Sequence, residues 1–234
     1  MIPIKDSPRA HRFPFVNIGL IIVNAIVFYF ELTMGAARLE AFIYKFGLVP
    51  ARLFAVDFSA PWSIVAGAIP LFTSMFIHAG WIHIAGNLLF LWIFGDNVED
   101  RLGHVGYFIF YLLAGIGAGL AHAVLTTVIS GPSVIPTIGA SGAIAGVMGA
   151  YLVMYPKAKV LTLIPVVFYP WMINVPAWIY LGVWIIIQLF TGLLDLAGAG
   201  SGVAWWAHLG GFVVGLILVC VFPKCRSHRY EVAP

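Results

Sequence analysis

Charged side chains are scarce in this sequence. Asp, Glu, Lys and Arg make up 9% of its 234 residues, whereas hydrophobic residues make up 62%. Soluble domains carry about 25% charged residues on average, so the composition excludes an ordinary soluble globular protein. The formal net charge is only +3, and the basic residues lie at the edges of apolar tracts, so we expect no nucleic-acid partner.

Cysteine is nearly absent as well. The two cysteines, Cys220 and Cys225, lie near the C-terminal end, and their spacing indicates neither a disulfide framework nor a metal site. The sequence shows no internal repeat, which argues against a transporter built from inverted repeats. It also has no linker or low-complexity stretch. We therefore expect a single membrane domain.

Long charge-free tracts are what the sequence has in abundance. Residues 13–30, 58–95, 102–156, 160–194 and 196–223 contain no Asp, Glu, Lys or Arg. A helix needs about 20 apolar residues to cross a bilayer, so these tracts predict an all-α membrane protein with six transmembrane helices. The predicted helices, or spans, are residues 14–34, 81–100, 104–127, 141–155, 176–196 and 204–222.

The distribution of Lys and Arg predicts the orientation of these spans. If the N-terminus is cytoplasmic, nine of the twelve basic residues fall in cytoplasmic segments and three in external ones. The positive-inside rule then places both termini in the cytoplasm. The predicted organisation is a cytoplasmic segment (1–12), a six-helix domain (13–223) and a cytoplasmic tail (224–234).

Two connecting segments have unusual compositions. Residues 35–80, the first external loop, are long and apolar with scattered charges, which is typical of a segment lying in the membrane interface. Residues 130–140 are apolar and uncharged but are interrupted by two prolines and two glycines. Irregular backbone at membrane depth is tolerated where protein buries it or where it lines a water-filled cavity. We therefore expect this loop to dip into the protein beside an externally open cavity.

Polar residues converge near the outer ends of three spans. His83 and Asn87 lie in the first turns of span 2, Ser141 opens span 4, and His208 lies one turn into span 6. These spans run in the same direction, so the four residues lie at similar depth, where polar side chains are expensive and usually functional. Two further residues without evident partners are interpreted as structural: Glu31 and His122.

Small residues line the same two spans. Gly142, Gly146 and Gly149 lie in span 4, and Gly211 and Gly215 lie in span 6. Small residues on facing transmembrane helices let their backbones approach closely. We expect these glycines to pack the two helices together near the polar residues.

Together, the motifs resemble those of the rhomboid family of intramembrane serine proteases. Gly139-Ala-Ser141-Gly142 is similar to the family's GxSG motif, and His83-x-x-x-Asn87 to its second-span signature. Ala207-His208-x-x-Gly211-x-x-x-Gly215 resembles the last-span signature, and Glu99-Asp-Arg101-Leu-Gly103 the segment after span 2. The resemblance extends over residues 72–221 in the family's order.

The resemblance implies a rhomboid-like bundle in which Ser141 is the nucleophile and His208 its general base. It also implies that Asn87, His83 and the backbone N–H of Ser141 stabilise the oxyanion. No cofactor or metal is expected. The expected partners are single-span membrane-protein substrates and the lipid bilayer, the expected location is a prokaryotic inner membrane, and the oligomeric state is open.

One position departs from the family pattern. Many rhomboids carry an aromatic residue four positions after the serine, stacked on the histidine, and here that position is Ala145. Another group, from span 6 or the pair Trp205–Trp206, is then needed to orient His208.

Two other functions remain open from the sequence. A catalytically inactive rhomboid-like protein that binds membrane segments would share the fold, although such proteins usually lack the serine or the histidine. A metal-binding transporter would use His78, His83 and His208 as zinc ligands, but the sequence has no HExxH motif and no carboxylate that completes the ligand set.

Overall fold

The computed structural model describes residues 1–166, 169–196 and 202–222, and most of these are helical. Six apolar helices lie where the sequence predicts them, with each end within three residues of its predicted position, which confirms the helix assignments. They are α1 (Phe15–Thr33), α5 (Trp81–Leu102), α6 (His104–Ser130), α7 (Ser141–Met154), α8 (Ala177–Leu194) and α9 (Trp205–Val221).

The helices differ in whether they are long enough to cross a bilayer alone. Within the described residues, α1, α6 and α8 pass this test. A fourth span results if the helical segment Pro61–Phe76 and α5, which meet at an angle of 83°, are counted together as one. Helices α7 and α9 are apolar but have only 14 and 17 residues, about 21 and 26 Å. The predicted count of six spans therefore stays a prediction.

The first external loop is helical rather than irregular. It contains α2 (Ala36–Phe46), α3 (Pro50–Phe54) and α4 (Pro61–Thr73), followed by a 3₁₀ turn (Ser74–Phe76). Proline begins α3 and α4, where its missing N–H costs nothing. Phe58 and Trp62 are each 83% exposed, as suits an interfacial segment, and that location stays a prediction.

A three-stranded sheet corrects the all-α prediction. Strand β2 (Lys159–Val166) pairs antiparallel with β1 (Ile2–Asp6) on one side and with β3 (Tyr169–Pro176) on the other. The segment 1–12 thus begins with an edge strand of this sheet. Its partners are distant in sequence, so local patterns gave no signal for the pairing. The predicted tail 224–234 lies outside the described residues.

Helix α7 is the centre of the bundle. Every residue from Gly142 to Tyr151 is buried, as expected for a helix that is apolar on all sides. It packs against α5, α6 and α9. Because α7 begins at Ser141, the bundle core holds that residue in place.

The contact between α7 and α9 is made backbone to backbone. A Cβ atom on Gly215 would collide with the backbone of Gly146, and one on Gly211 would collide with the backbone of Gly142. A Cβ on Gly149 would likewise collide with the backbone of Phe212. The glycine faces therefore set the spacing of these two helices, as small residues do in membrane bundles.

Replacing Gly215 by alanine is expected to force α9 away from α7. Overpacking costs about 1–3 kcal/mol, so G215A should unfold at lower denaturant concentration in detergent. The matched control is G19A on α1, where an added Cβ meets nothing within 4 Å and the gain in helix propensity is the same. Equal stability of the two variants would contradict the close-packing interpretation.

At the far end of α7 from Ser141, the sheet is attached through the half-buried carboxyl group of Asp6. The Tyr151 hydroxyl donates a hydrogen bond of 2.6 Å to Asp6 Oδ2, and Asn97 Nδ2 donates one of 2.9 Å to the same oxygen. Burial raises the pKa of Asp6 from 3.8 to about 7, outweighing the hydrogen bond from Tyr151, which acts to lower it. The folded chain therefore favours the protonated carboxyl.

This raised pKa predicts that β1 is held less firmly as pH increases. Because the folded pKa lies above the unfolded one, the protonated form stabilises β1 fully below about pH 4, and that stabilisation is lost as pH rises to about 7. Hydrogen exchange of the Ser7 amide, which donates to Lys159 O over 2.8 Å, should show protection falling across this range.

The Asp6→Asn variant should abolish this pH dependence, because asparagine cannot ionise. The matched control is Asp57→Asn, the same change at a fully exposed carboxylate in the first external loop. An unaltered pH profile in D6N would show that another group titrates.

Candidate active site

The structure brings Ser141 and His208 together. Ser141 is the first residue of α7, and His208 is the fourth residue of α9. Ser141 Oγ lies 2.8 Å from His208 Nε2, which is within the range of about 2.6–3.2 Å expected for a nucleophile and its general base. The glycine contacts between α7 and α9 set the spacing of the two helices that carry these residues.

Residues of α8 and of its own helix α9 position the imidazole of His208. Its Nδ1 lies 2.7 Å from Oε1 of Gln188 on α8. The ring of Trp184, one turn earlier on α8, packs beside the imidazole with centroids 6.0 Å apart and an interplanar angle of 37°. Trp205 contacts the imidazole edge-on at 5.9 Å, while Ala145 is fully buried. In place of an aromatic ring at position 145, Trp205 therefore contributes to orienting His208, as expected. Gln188 and Trp184 of α8 make the larger contribution.

Gln188 and Trp184 are the residues that sequence reasoning missed. Gln188 is 7% exposed and lies in the middle of an apolar helix. A polar amide at such a position is costly and signals function, so the information was present in the sequence. What it did not show was which of the other helices the amide faces.

His83 is placed beside Ser141 with a defined tautomer. The backbone N–H of Ala79 donates to its Nδ1 over 3.2 Å, so in the neutral ring Nε2 carries the hydrogen. A Cβ on Gly139 would lie 2.7 Å from His83 Nε2 and 3.6 Å from Ser141 Oγ. Nε2 of His83 is therefore an N–H donor close to the serine.

Gly139 is required at this point for two reasons. Its φ of +120° is a backbone conformation that side-chain-bearing residues rarely adopt. Any side chain would also enter the space between His83 and Ser141. The backbone N–H of Gly139 donates to Ser74 O over 2.8 Å, which fixes the entry of the chain into α7.

Asn87 supplies a buried donor without a protein partner. Its side chain is 6% exposed, and its Nδ2 finds no hydrogen-bond partner among residues 1–166, 169–196 and 202–222. Buried polar groups are normally satisfied, so an unpaired amide facing the same cavity as Ser141 is suited to receive a ligand oxygen. The first N–H groups of α7, including that of Ser141, also lack intrahelical partners.

Two residues interpreted as lacking partners have them. The carboxylate oxygens of Glu31 accept from the backbone N–H of His78, each over 3.2 Å, and the His78 ring packs 5.1 Å from that of His83. His122 Nε2 lies 2.8 Å from Oγ1 of Thr137 in the loop before α7. Glu31 and His122 therefore stabilise segments next to the site, at His78 and at Thr137 respectively.

The last residues of the loop before α7 are held against protein, whereas Val134 and Ile135 earlier in the loop are 66% and 71% exposed. Leu48 and Thr137 exchange backbone hydrogen bonds of 3.0 and 2.7 Å, and Ala140 is fully buried. Beside the loop is a cavity of about 880 Å³ that reaches both Ser141 and His208. Polar groups that line it include those of His83, Asn87, His122, Thr126, Thr137 and Gln188.

Within the described part of the chain, the structure brings no group of potential metal ligands together. No three His, Cys, Asp or Glu side chains within it lie close enough to hold an ion. His78 contacts the ring of His83, whereas His208 is engaged with Ser141 and Gln188. The arrangement favours nucleophile chemistry over metal ligation.

Similarity to known proteins agrees with this geometry. The family model of the Rhomboid domain matches residues 60–225, well over half of the chain. "Rhomboid protein 1, mitochondrial" of Saccharomyces cerevisiae is 30% identical over 178 residues, which are 72% of this chain and 47% of that protein. "Rhomboid-like protein 11, chloroplastic" of Arabidopsis thaliana is 29% identical, over 66% of this chain and 52% of that protein.

A bacterial relative is also similar over a shorter stretch. "Rhomboid protease GluP" of Bacillus subtilis is 40% identical over 82 residues, 35% of this chain and 15% of that protein. The chain spans about half the length of the first two relatives. With its apolar helices and the match to the Rhomboid domain, the protein is a multi-pass membrane protein and belongs to the rhomboid family.

Proposed function

We propose that this protein is an intramembrane serine endopeptidase that cleaves transmembrane segments of single-span membrane proteins. The observation that carries the proposal is the 2.8 Å contact between Ser141 Oγ and His208 Nε2 at the edge of a cavity. The name of the Bacillus subtilis relative includes the word protease, which supports the same reaction class. No cofactor takes part in the proposed chemistry.

The proposed reaction is acyl transfer through a Ser–His dyad. As Ser141 Oγ attacks the substrate carbonyl carbon, its proton passes to Nε2 of His208. His208 then gives this proton to the leaving amine, and the peptide C–N bond breaks. A water molecule, deprotonated by the same nitrogen, hydrolyses the acyl-enzyme and restores the serine.

The oxyanion of each tetrahedral intermediate would be stabilised by three hydrogen-bond donors. These are Nε2–H of His83, the amide of Asn87 and the backbone N–H of Ser141 at the positive end of α7. The support is the tautomer imposed by Ala79 and the unpaired state of Asn87 Nδ2 within the described structure. These donors are neutral, which suits a site in a membrane domain, where an isolated charge is costly.

Access for substrate and water would come through the cavity. A transmembrane helix hides its carbonyl groups in internal hydrogen bonds, so the substrate has to unwind locally before attack. The cavity volume of about 880 Å³ and its polar lining offer space for an unwound segment together with water. A rhomboid-like protein that only binds such segments would not need the serine and histidine in contact.

The proposed setting is a prokaryotic cell membrane crossed by six helices, with both termini in the cytoplasm. The excess of basic residues in the segments assigned to the inside supports this orientation. The bacterial relative agrees with the location, whereas the yeast and Arabidopsis relatives are named as organellar proteins.

The Ser141→Ala and His208→Ala variants should each reduce cleavage of a transmembrane reporter in liposomes to the background rate. The first removes the nucleophile and the second the base, and both act on one step. The wild type should also be labelled by a fluorophosphonate probe, and S141A should not.

The matched control is Ser59→Ala, which removes an exposed hydroxyl in the first external loop, outside the cavity, and should leave the rate unchanged. Cleavage by S141A at the wild-type rate would refute the dyad. A wild type that binds membrane segments but neither cleaves nor reacts with the probe would be an inactive binding protein.

Asn87→Ala should lower kcat by about 10²-fold without abolishing cleavage, because one oxyanion donor among several is lost. The effect should appear in kcat rather than KM, because the donor acts on charge that develops in the transition state. A wild-type kcat in N87A would remove Asn87 from the oxyanion site.

A further inference from the structure

We infer that Gln188 is a positioning residue that fixes the tautomer and orientation of His208, so that the site is a chain of Ser141, His208 and Gln188. The inference rests on the proposed function, because it assigns a role within that reaction. Its geometric basis is the 2.7 Å separation of Gln188 Oε1 and His208 Nδ1, alongside the 2.8 Å contact between His208 Nε2 and Ser141.

The ring nitrogen of His208 that carries the hydrogen decides whether the imidazole can act as a base. His208 can accept the serine proton only if its Nε2 carries no hydrogen, which requires the hydrogen to be on Nδ1. A hydrogen on Nδ1 needs an acceptor, and the amide oxygen of Gln188 is within hydrogen-bond distance. With its oxygen facing the ring, Gln188 selects the tautomer that acts as a base.

A buried amide on the apolar helix α8 is costly unless it has a hydrogen-bond partner. The sequence of α8 is AWIYLGVWIIIQLFTGLL, in which Gln188 is a buried amide surrounded by apolar residues. Any helical residue would make the same backbone hydrogen bonds at position 188. The reason for glutamine at this position therefore lies in its side chain. A buried amide oxygen left unpaired would cost about 1–3 kcal/mol, and His208 provides the partner.

The imidazole ring of His208 also has an aromatic neighbour on α8. Trp184 lies four residues before Gln188, on the same face of α8, and packs beside both His208 and Phe212. Trp184 thus limits rotation of the imidazole while Gln188 engages one of its nitrogens. Position 145 has no aromatic ring to do this, since it is a fully buried alanine.

An amide differs chemically from the aspartate of a soluble triad. It accepts the Nδ1–H bond but carries no charge to stabilise the imidazolium that forms during the reaction. It also avoids placing an isolated carboxylate in an apolar helix, which would be costly. The hydrogen-bonded series Ser141–His208–Gln188 therefore orients the imidazole without a buried anion. This orientation requires that α8 stays packed against α9.

The decisive variants are Gln188→Met and Gln188→Glu. Methionine has a similar length but removes the acceptor, so Q188M should lower kcat by about 10–100-fold with KM within about twofold of wild type. Ionised glutamate restores an acceptor, so Q188E should recover kcat at high pH to at least one third of wild type. The matched control is Ile187→Met, an exposed neighbour on α8, with unchanged kcat.

The pH profile separates positioning from a structural role. A carboxylate beside Nδ1 stabilises the imidazolium, so the acidic limb of kcat/KM in Q188E should move to higher pH. Within the described residues, the other ionisable side chains around His208 or lining its cavity are His83, His122 and Asp195, and they are common to all variants. A wild-type kcat in Q188M, or a Q188E variant no better than Q188M at any pH, would overturn the inference.

A measurement independent of cleavage tests the tautomer directly. In ¹⁵N-histidine-labelled protein, with His208 assigned by comparison with H208Q, the wild type should show protonated Nδ1 and bare Nε2. Q188M should show a mixture of tautomers, and the same spectrum in both would contradict the inference. If wild type cleaves nothing, the proposed protease function fails while this spectrum still decides the role of Gln188.

Discussion

The close approach of α7 and α9 is the constraint on which the rest of the structure depends. Ser141 and His208 lie on two separate helices, so the spacing of these helices sets the distance between the hydroxyl and the imidazole. Glycine at 146 and 215 removes the side chains that would hold these helices apart. The 2.8 Å contact of Ser141 with His208 follows from that spacing and from the burial of α7 on all sides.

Around this pair, the polar groups form a set of neutral contacts. His83 is oriented by the backbone of Ala79, and His208 faces an amide rather than a carboxylate. In a medium of low polarity, an unpaired charge costs more than a well-made neutral hydrogen bond returns. Neutral donors and acceptors therefore suit this site, and the loop that leads into Ser141 is itself held by backbone hydrogen bonds to Leu48 and Ser74.

The opposite end of α7 shows a different use of a partly buried polar group. Asp6 on β1 accepts hydrogen bonds from Tyr151 and Asn97, which joins the N-terminal strand to the helix that carries the serine. Glu99 nearby accepts from the first backbone N–H groups of α1, at Val16 and Asn17, where a carboxylate complements the helix end. Helix α7 thus links the site at one end to the sheet at the other.

The sequence by itself determined the apolar helices, because their signal is local: charge-free tracts of sufficient length end at charged residues, glycine or proline. It also determined the motif residues at 83, 87, 141 and 208, because a polar residue in an apolar span stands out. Only the tertiary structure decided which helix faces His208, so Gln188 and Trp184 became partners of the imidazole only when α8 was packed against α9. The pairing of β1 with β2 was decided in the same way, since it joins residues more than 150 positions apart. Contacts between distant segments depend on how the whole chain packs, and no local pattern encodes them.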